Sequence, residues 1–438
     1  MPPSDSSRRE QAGWYVYDWA NSAFYTVVVT LLFGPYVTTV LARGAADAQG
    51  FVYPLGIQVD ARSYWSYLVG LSVAIQVLVL PAAGALADST GRKKALLALF
   101  AYSGAGATMA MYFLEGSAYL WGGLLFLIAN VAFGASIVVY NSFLPEIATA
   151  EERDSVSSKG WGIGYLGGGV LLALDLALLG FADRLGLTQG QAVRISFASA
   201  GAWWALFTIV PLMLLRSRSP VHRGSLAAAI PASFRQLGHT LRDLRRYPQT
   251  LAFLLAYLLY NDAVQAVIVL SGQFGHDQLH IPIEMLTLLI LMVQFLAFVG
   301  ALAFNLVAGR LGAKRTVMLS LVIWTAIIVA IYGWVRTTAA FFVAGAAVAL
   351  VLGGTQALSR SLFSLMIPKN REAEYFSLYE VSDRGTSWLA PVIFGLALQF
   401  TGSYRIAILS LVGFFVLGLA VLARVNVERA ARDASGSE

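Results

Sequence analysis

Apolar runs of 18 to 25 residues recur from one end of this chain to the other, and they constrain its fold more than any other feature. A helix of that length spans a hydrocarbon core about 30 Å thick. Twelve such runs are present, at roughly 14–40, 65–87, 95–114, 118–143, 158–180, 194–215, 249–271, 285–308, 316–335, 339–363, 375–400 and 404–424. They are too long for barrel strands of about ten residues, and they are apolar on every face instead of alternating. The expectation is therefore an all-α membrane protein with twelve transmembrane helices. The first run is read as a span and not as a cleaved leader, because it is long and carries Asp18 and Asn21.

Charged residues make up 12% of the 438 residues, against about 25% in an ordinary soluble chain. No polar stretch is long enough for a separate soluble domain. The longest polar connection divides the chain into a first six-helix bundle (1–215), a linker (216–248) and a second six-helix bundle (249–438). In the linker, Phe234, Leu237, Leu241 and Leu244 share one helical face, with Arg235, Arg242, Arg245 and Arg246 elsewhere around it. That pattern suits a helix lying in the headgroups, or one packed beneath the bundle.

Lys and Arg fall unevenly between the two sides. With both termini placed in the cytoplasm, 23 of the 30 lie on that side and 6 on the other, Arg384 falling inside span 11. The positive-inside rule then puts both termini in the cytoplasm, and a cell (inner) membrane is the expected location. The same count accounts for the net charge of +6 without any nucleic-acid partner.

The chain has no cysteine, which removes disulfides, thiolate metal sites and thiol catalysis. His276 and His280 flank Asp277 at helical spacing, but no third ligand accompanies them, and no metal or cofactor is expected. No convergent nucleophile–base set appears at membrane depth, so an enzyme is not expected. ATP is excluded as an energy source by the missing phosphate loop.

The halves echo each other. WANSAFYTVVVT (19–30) aligns with LYNDAVQAVIVL (259–270), placing Asn21 over Asn261, and GALADSTGRKK (84–94) aligns with NLVAGRLGAKR (305–315). Two like-built bundles place a solute site between them near mid-bilayer. GALADSTGRKK also resembles the signature loop of the major facilitator superfamily, through Gly84, Asp88, Gly91, Arg92 and Lys93. More narrowly, YDWANSAF, LYNDAVQ, YNSFLPEIA, GWGIGYLGG and TQALSRSLFSLMIP resemble its vacuole-effluxer branch, whose fungal members are autophagy-related vacuolar amino-acid exporters. The resemblance implies a rocker-switch transporter whose cavity is lined by spans 1, 4, 7 and 10. It also implies a latch in which Asp88 meets the start of span 11. Gly309 and Ala313 depart from the signature, so the first-half loop is expected to dominate.

An ionisable side chain at membrane depth costs about 2.5–3.5 kcal/mol on insertion scales, which makes Asp18 and Asp262 candidates for solute binding or proton uptake. Their plainer reading is as structural hydrogen-bond partners. Asn21, Asn261 and Gln265 are candidate solute contacts, with Tyr140, Asn141, Gln356 and Arg360 as a second ring. Arg360 is placed either to hold a carboxylate or to snorkel to the surface. Glu380, Asp383 and Arg384 are expected to partner Asp88, Arg92 and Lys93 when the cytoplasmic side closes. Asp175 is a third proton candidate, or a partner for a polar group on a neighbouring helix. The glycines of GIGYLGGG are read as helix-packing positions.

These residues point to a secondary transporter of a small organic solute, an amino acid or similar zwitterion, working as a monomer with possible proton coupling. Export of drug-like lipophilic compounds is the alternative within that class. A non-transporting receptor or scaffold is the alternative outside it.

Overall fold

Backbone facing lipid has no water to bond, so a chain this apolar closes its hydrogen bonds inside helices. The computed structural model describes residues 5–216, 244–384 and 389–435, and these are helical apart from loops and one short hairpin. Most of the linker expected at 216–248, including its amphipathic face, lies outside the described residues.

Span 1 starts at Asp5, nine residues before the apolar run, and ends at Ala45. Its polar beginning stays helical because it docks on the rest of the bundle. Ser7 Oγ and Gln11 Nε2 both donate to the Ile147 carbonyl (2.8 and 2.9 Å), and the buried Glu10 accepts the Arg216 amide at 3.0 Å. After Asp5–Ala23 the winding loosens to π-helix at Phe24–Leu32 and again at Val37–Ala42, either side of the Phe33–Tyr36 turn. That turn contains Pro35, which has no N–H to give.

Spans 2 to 6 are Tyr64–Thr90, Lys93–Ala110, Tyr119–Asn141, Arg153–Gly180 and Gln189–Leu214. Spans 7 to 10 are Pro248–Gln273, Ile283–Leu311, Ala313–Trp334 and Thr338–Ser364. Span 11 is described as Glu372–Arg384 and Leu389–Thr401, and span 12 as Tyr404–Ser410 and Val412–Arg424. Among the described residues, eleven helices are long and apolar enough to cross a membrane. The two pieces of span 11 complete the twelve-helix arrangement.

Local chemistry sets several ends. Thr188 and Gln191 form a reciprocal capping box at the start of span 6. Gly91, at φ 61°, turns the chain out of span 2 in the left-handed region that glycine enters without strain. Between spans 1 and 2, β1 (Phe51–Val52) pairs antiparallel with β2 (Val59–Asp60). Asp47 braces this hairpin by accepting from the Tyr53 hydroxyl (2.6 Å) and the Phe51 amide (2.8 Å). These bonds hold its carboxyl below the usual range.

The buried apolar side chains form two clusters, one drawn from spans 1–6 and one from spans 7–12. Ala373, at the start of span 11, is the exception and packs into the first cluster. Large apolar side chains such as Trp121, Leu306 and Phe400 stand exposed on the outside, as a lipid-facing belt requires. The bulk of each half is therefore self-contained, and the halves meet where span 5 lies against span 8, with Gly162 on Phe298 and Gly169 on Phe295, where span 2 lies against span 11, and along a polar seam.

Candidate functional site

That seam begins on the face carrying both termini, called here the terminal face. Span 5 opens RDSVS, and its first turns project Arg153, Asp154 and Ser157 toward span 10. Arg153 Nη1 donates to the Ser364 carbonyl (2.6 Å), Ser361 Oγ to Asp154 Oδ1 (2.5 Å) and Ser157 Oγ to the Ala357 carbonyl (2.7 Å).

One turn deeper lies Arg360, 3% exposed. Its Nε donates to Ser157 Oγ and its Nη2 to the Ser157 carbonyl, both at 2.9 Å. Both terminal nitrogens lie 3.3 Å from Asp18 Oδ2, which also accepts the Tyr140 hydroxyl at 2.7 Å. Arg360 therefore does not snorkel to the surface. It turns inward because span 1 offers a carboxylate there, which the water-facing alternative would leave buried and unpaired.

The pair sits among aromatic faces. The Arg360 Cζ is 4.6 Å from the Trp14 ring centroid, 5.2 Å from Trp161 and 5.8 Å from Tyr140. Trp14 and Tyr140 stack at 4.5 Å, and Trp14 Nε1 donates to the Tyr140 carbonyl at 3.0 Å. Space for this arrangement comes from Gly160, where an added Cβ would meet Trp14, Asp18 and Arg360. Gly164, Gly167 and Gly168 continue the stripe against Asp18, Trp19, Ser22 and Thr26, so span 5 lies close along span 1. The glycine-rich segment is thus a packing surface, in keeping with its sequence reading.

Asn141 extends the network. Its Oδ1 accepts from Arg360 Nη1 at 3.4 Å and its Nδ2 donates to Glu380 Oε1 at 2.9 Å, which ties spans 4, 10 and 11 together. Toward the opposite face, Gln356 accepts the Tyr165 hydroxyl at 2.6 Å and Gln294 Nε2 donates to Thr26 Oγ1 at 2.7 Å. The named hydrogen bonds between the halves thus run from the terminal face to the level of Thr26 and Gln294. The molecule is closed on its terminal face.

The loop between spans 2 and 3 adds a second set of contacts there. Asp88 accepts the amides of Ala373 (3.2 Å) and Glu374 (2.8 Å), two of the unsatisfied donors at the start of span 11. Lys93 Nζ reaches Glu146 (2.7 Å), Asp88 (3.4 Å) and Glu372 (3.5 Å). Gly84 lies directly under the Ala373–Glu374 backbone, with no room for a side chain.

This corrects the expected pairing in detail. Glu380 and Asp383 do not meet Asp88, Arg92 or Lys93. They lie eight and eleven residues beyond Glu372, about 12 and 16 Å deeper along the helix, beyond the reach of a surface loop. Glu380 meets Asn141 instead, and Asp383 Oδ1 accepts from Asn261 Nδ2 (2.7 Å) and the Tyr257 hydroxyl (2.9 Å). The Arg384 side chain lies outside the described residues, as do those of His276 and Asp277.

The structure does not bring the first-span and seventh-span residues into one cluster. Asp262 turns toward span 11, where its Oδ2 accepts the Ala390 amide (2.8 Å) at the start of Leu389–Thr401. Its other oxygen is buried and has no partner among the described residues. Asn21 bonds back to the Tyr17 carbonyl (2.7 Å), and Gln265 is half-buried. Asp175 meets Ser199 on span 6 (3.0 Å), its second oxygen buried and unpartnered among the described residues.

Trp14, Glu146, Ser157, Trp161, Tyr165 and Glu372 were not singled out from sequence. A signal existed for two pairs, since Trp14 stands one turn from Asp18 and Trp161 one turn from Tyr165. Aromatic residues are common enough in a chain with 12% of them that spacing alone does not separate these.

Twelve spans in two similar halves, closed by a loop carrying Gly84, Asp88 and Lys93, define a transporter of the major facilitator type. Solved structures agree on the fold. A proton:xylose symporter of the same superfamily superposes with a TM-score of 0.71 at 12% identity, covering 95% of each chain. A bacterial homologue of the iron transporter ferroportin, in its outward-facing state, gives 0.68 at 15% identity over 96% of this chain and 99% of that one. The family model described as vacuole effluxer Atg22 like matches residues 6–435, and the chain belongs to that family. Among its relatives is YxiO of Bacillus subtilis (strain 168), described as an uncharacterized MFS-type transporter. It is 29% identical over 96% of this chain and 95% of its own length. Autophagy-related protein 22 of Neurospora crassa is 27% identical over 97% of this chain and 72% of its own length.

Proposed function

We propose that the chain is a secondary transporter of a small zwitterion of the amino-acid type, working as a monomer by alternating access. The observation that carries this reading is the Asp18–Arg360 pair. One carboxylate and one guanidinium face each other across the two halves, each paired with the charge of the other half. When the terminal face opens, each loses the charge it faces. A solute bearing an ammonium and a carboxylate answers both charges at once, whereas a neutral lipophilic compound answers neither.

Lys/Arg placement supports a cytoplasmic terminal face in a cell inner membrane, so the described state is the one closed to the cytoplasm. Asp88, Lys93 and Glu372 would form the gate on that side. Proton coupling belongs to the same proposal: the unpartnered oxygens of Asp262 and Asp175 are places where a proton removes an otherwise unsatisfied buried charge.

The test is counterflow of labelled amino acids in vesicles reconstituted with purified protein, with and without an imposed pH gradient. Saturable uptake lost in Asp18→Asn and Arg360→Gln is the expected result. Uptake of neutral drug-like compounds only, or full activity in both variants, overturns the reading. Unchanged pH-driven accumulation in both Asp262→Asn and Asp175→Asn removes the coupling assignment alone.

A further inference from the structure

We infer that Trp14, Tyr140, Trp161 and Asp18 form a subsite for an organic ammonium ion, and that Arg360 is a tethered cation filling it while the terminal face is closed. The inference deepens the proposed transport of a zwitterion and rests on that reading for its physiological meaning. It is carried by ownership of the side chains. Three rings and the carboxylate belong to spans 1, 4 and 5 of the first half, while the cation they surround arrives from span 10 of the second half.

The box is held without the arginine. Trp14 is fixed to span 4 through its Nε1 bond to the Tyr140 carbonyl and by stacking on the Tyr140 ring. Tyr140 holds Asp18 by its hydroxyl, and Trp161 leans on Tyr165 at 5.7 Å. Gly160 brings span 5 near enough for Trp161 to complete the box. If the halves part on this face, Arg360 leaves with span 10 and the box stays assembled, still holding a carboxylate behind aromatic faces.

Such a site has a defined chemical preference. Ring faces carry negative potential and attract cations, more strongly when water is excluded, and trimethylammonium groups are favoured occupants of aromatic boxes. The carboxylate sets the sign of the guest and rejects anions. Arg360, once withdrawn, is free to take a carboxylate through its forked donors. Closure then becomes a competition between guest and arginine for one box, in which the returning Arg360 displaces the ammonium inward as the terminal face shuts.

The test uses purified full-length protein in detergent and two probes of equal shape, choline chloride and the neutral 3,3-dimethyl-1-butanol, with sodium chloride as the ionic-strength control. Binding is read by tryptophan fluorescence and by thermal stabilisation. Arg360→Gln empties the box and is expected to bind choline at least about tenfold more tightly than the parent, with no response to the alcohol. Adding Asp18→Asn or Trp161→Ala is expected to abolish the gain. Should Arg360→Gln fail to give monodisperse protein, Asp88→Asn loosens closure without touching the box and is expected to show the same gain. Equal responses to both probes, or no gain in either variant, overturn the inference. Choline binding without vesicle uptake of zwitterions would leave the box standing and sink the transport reading, so the two fail separately.

Discussion

The loops after spans 2 and 8 align on one pattern and differ in what they touch. GALADSTGRKK in the first half sits under span 11, with Gly84 against backbone, Asp88 on two amides and Lys93 among three carboxylates. In NLVAGRLGAKR the glycine at the Asp88 position, Gly309, has open space around it, and Lys314 turns to the Ala423 carbonyl of span 12 at 2.9 Å. Both loops turn on a positive-φ glycine but in different ways, Gly91 being left-handed helical (φ 61°, ψ 12°) and Gly312 extended (φ 81°, ψ 150°). What also differs is the chemistry that crosses between halves. A pseudo-symmetric frame therefore carries asymmetric contacts, the named ones between halves lying at the first-half loop.

Substitutions at matched positions give ways to break that comparison. The chain contains no cysteine, so Ser361→Cys, buried in the seam, reports opening of the terminal face by its maleimide labelling rate with no background. The largest effect is expected from Gly84→Val, because backbone at Ala373 and Glu374 has no way to yield. Labelling should rise by more than about a hundredfold, while Asn305→Val at the matching position leaves it within about twofold. Asp88→Asn comes next, with a gain of about ten- to a hundredfold, since hydrogen bonds to a charged group contribute about 1.5–3 kcal/mol. Gly309→Ala is its near-silent counterpart. Lys93→Met, which leaves Asp88, Glu146 and Glu372 facing one another, is expected to raise labelling about tenfold, against under twofold for Lys314→Met. The smallest expected effect sharpens the comparison: Gly309→Asp with Ala313→Arg restores the first-half signature but should change labelling by less than about twofold. If second-half variants open the face as readily as first-half ones, the gate is shared and the asymmetry has been misread.

The twelve spans were legible because lipid leaves a chain few choices. An apolar run of the right length has to be a helix, and span ends fall within about three residues of expectation except at span 1 and at spans 5 and 6, which begin five residues early at Arg153 and Gln189. In span 1 the polar start Asp5–Gly13 continues the helix through docking contacts with Ile147 and Arg216, which a hydropathy window does not register. The signature loop was legible through its resemblance, including the meeting of Asp88 with the start of span 11. Partners within the seam were less so. Glu380 and Arg384 share the spacing of a favoured ion pair, yet depth along span 11 places Glu380 beside Asn141 rather than at the loop. Asp262 stands next to Asn261 in sequence and therefore points a different way around the helix, toward Ala390. Arg360 sat in the last turn of its span, where snorkelling and ion pairing look identical in sequence. Only the position of Asp18 on another helix separates them.

The π-wound stretches of span 1, Phe24–Leu32 and Val37–Ala42, have a consequence of their own. A π turn sets donor and acceptor five residues apart where an α turn sets them four apart. The outer part of this helix therefore stores spare chain, coiled wide between Asp18 and the far side of the bilayer. Rewinding it would push that end outward and swivel its side chains about the helix axis, while the inner end stays pinned to span 5 by its glycines. The first helix can thus act as an extensible strut, changing its reach without letting go of its anchor.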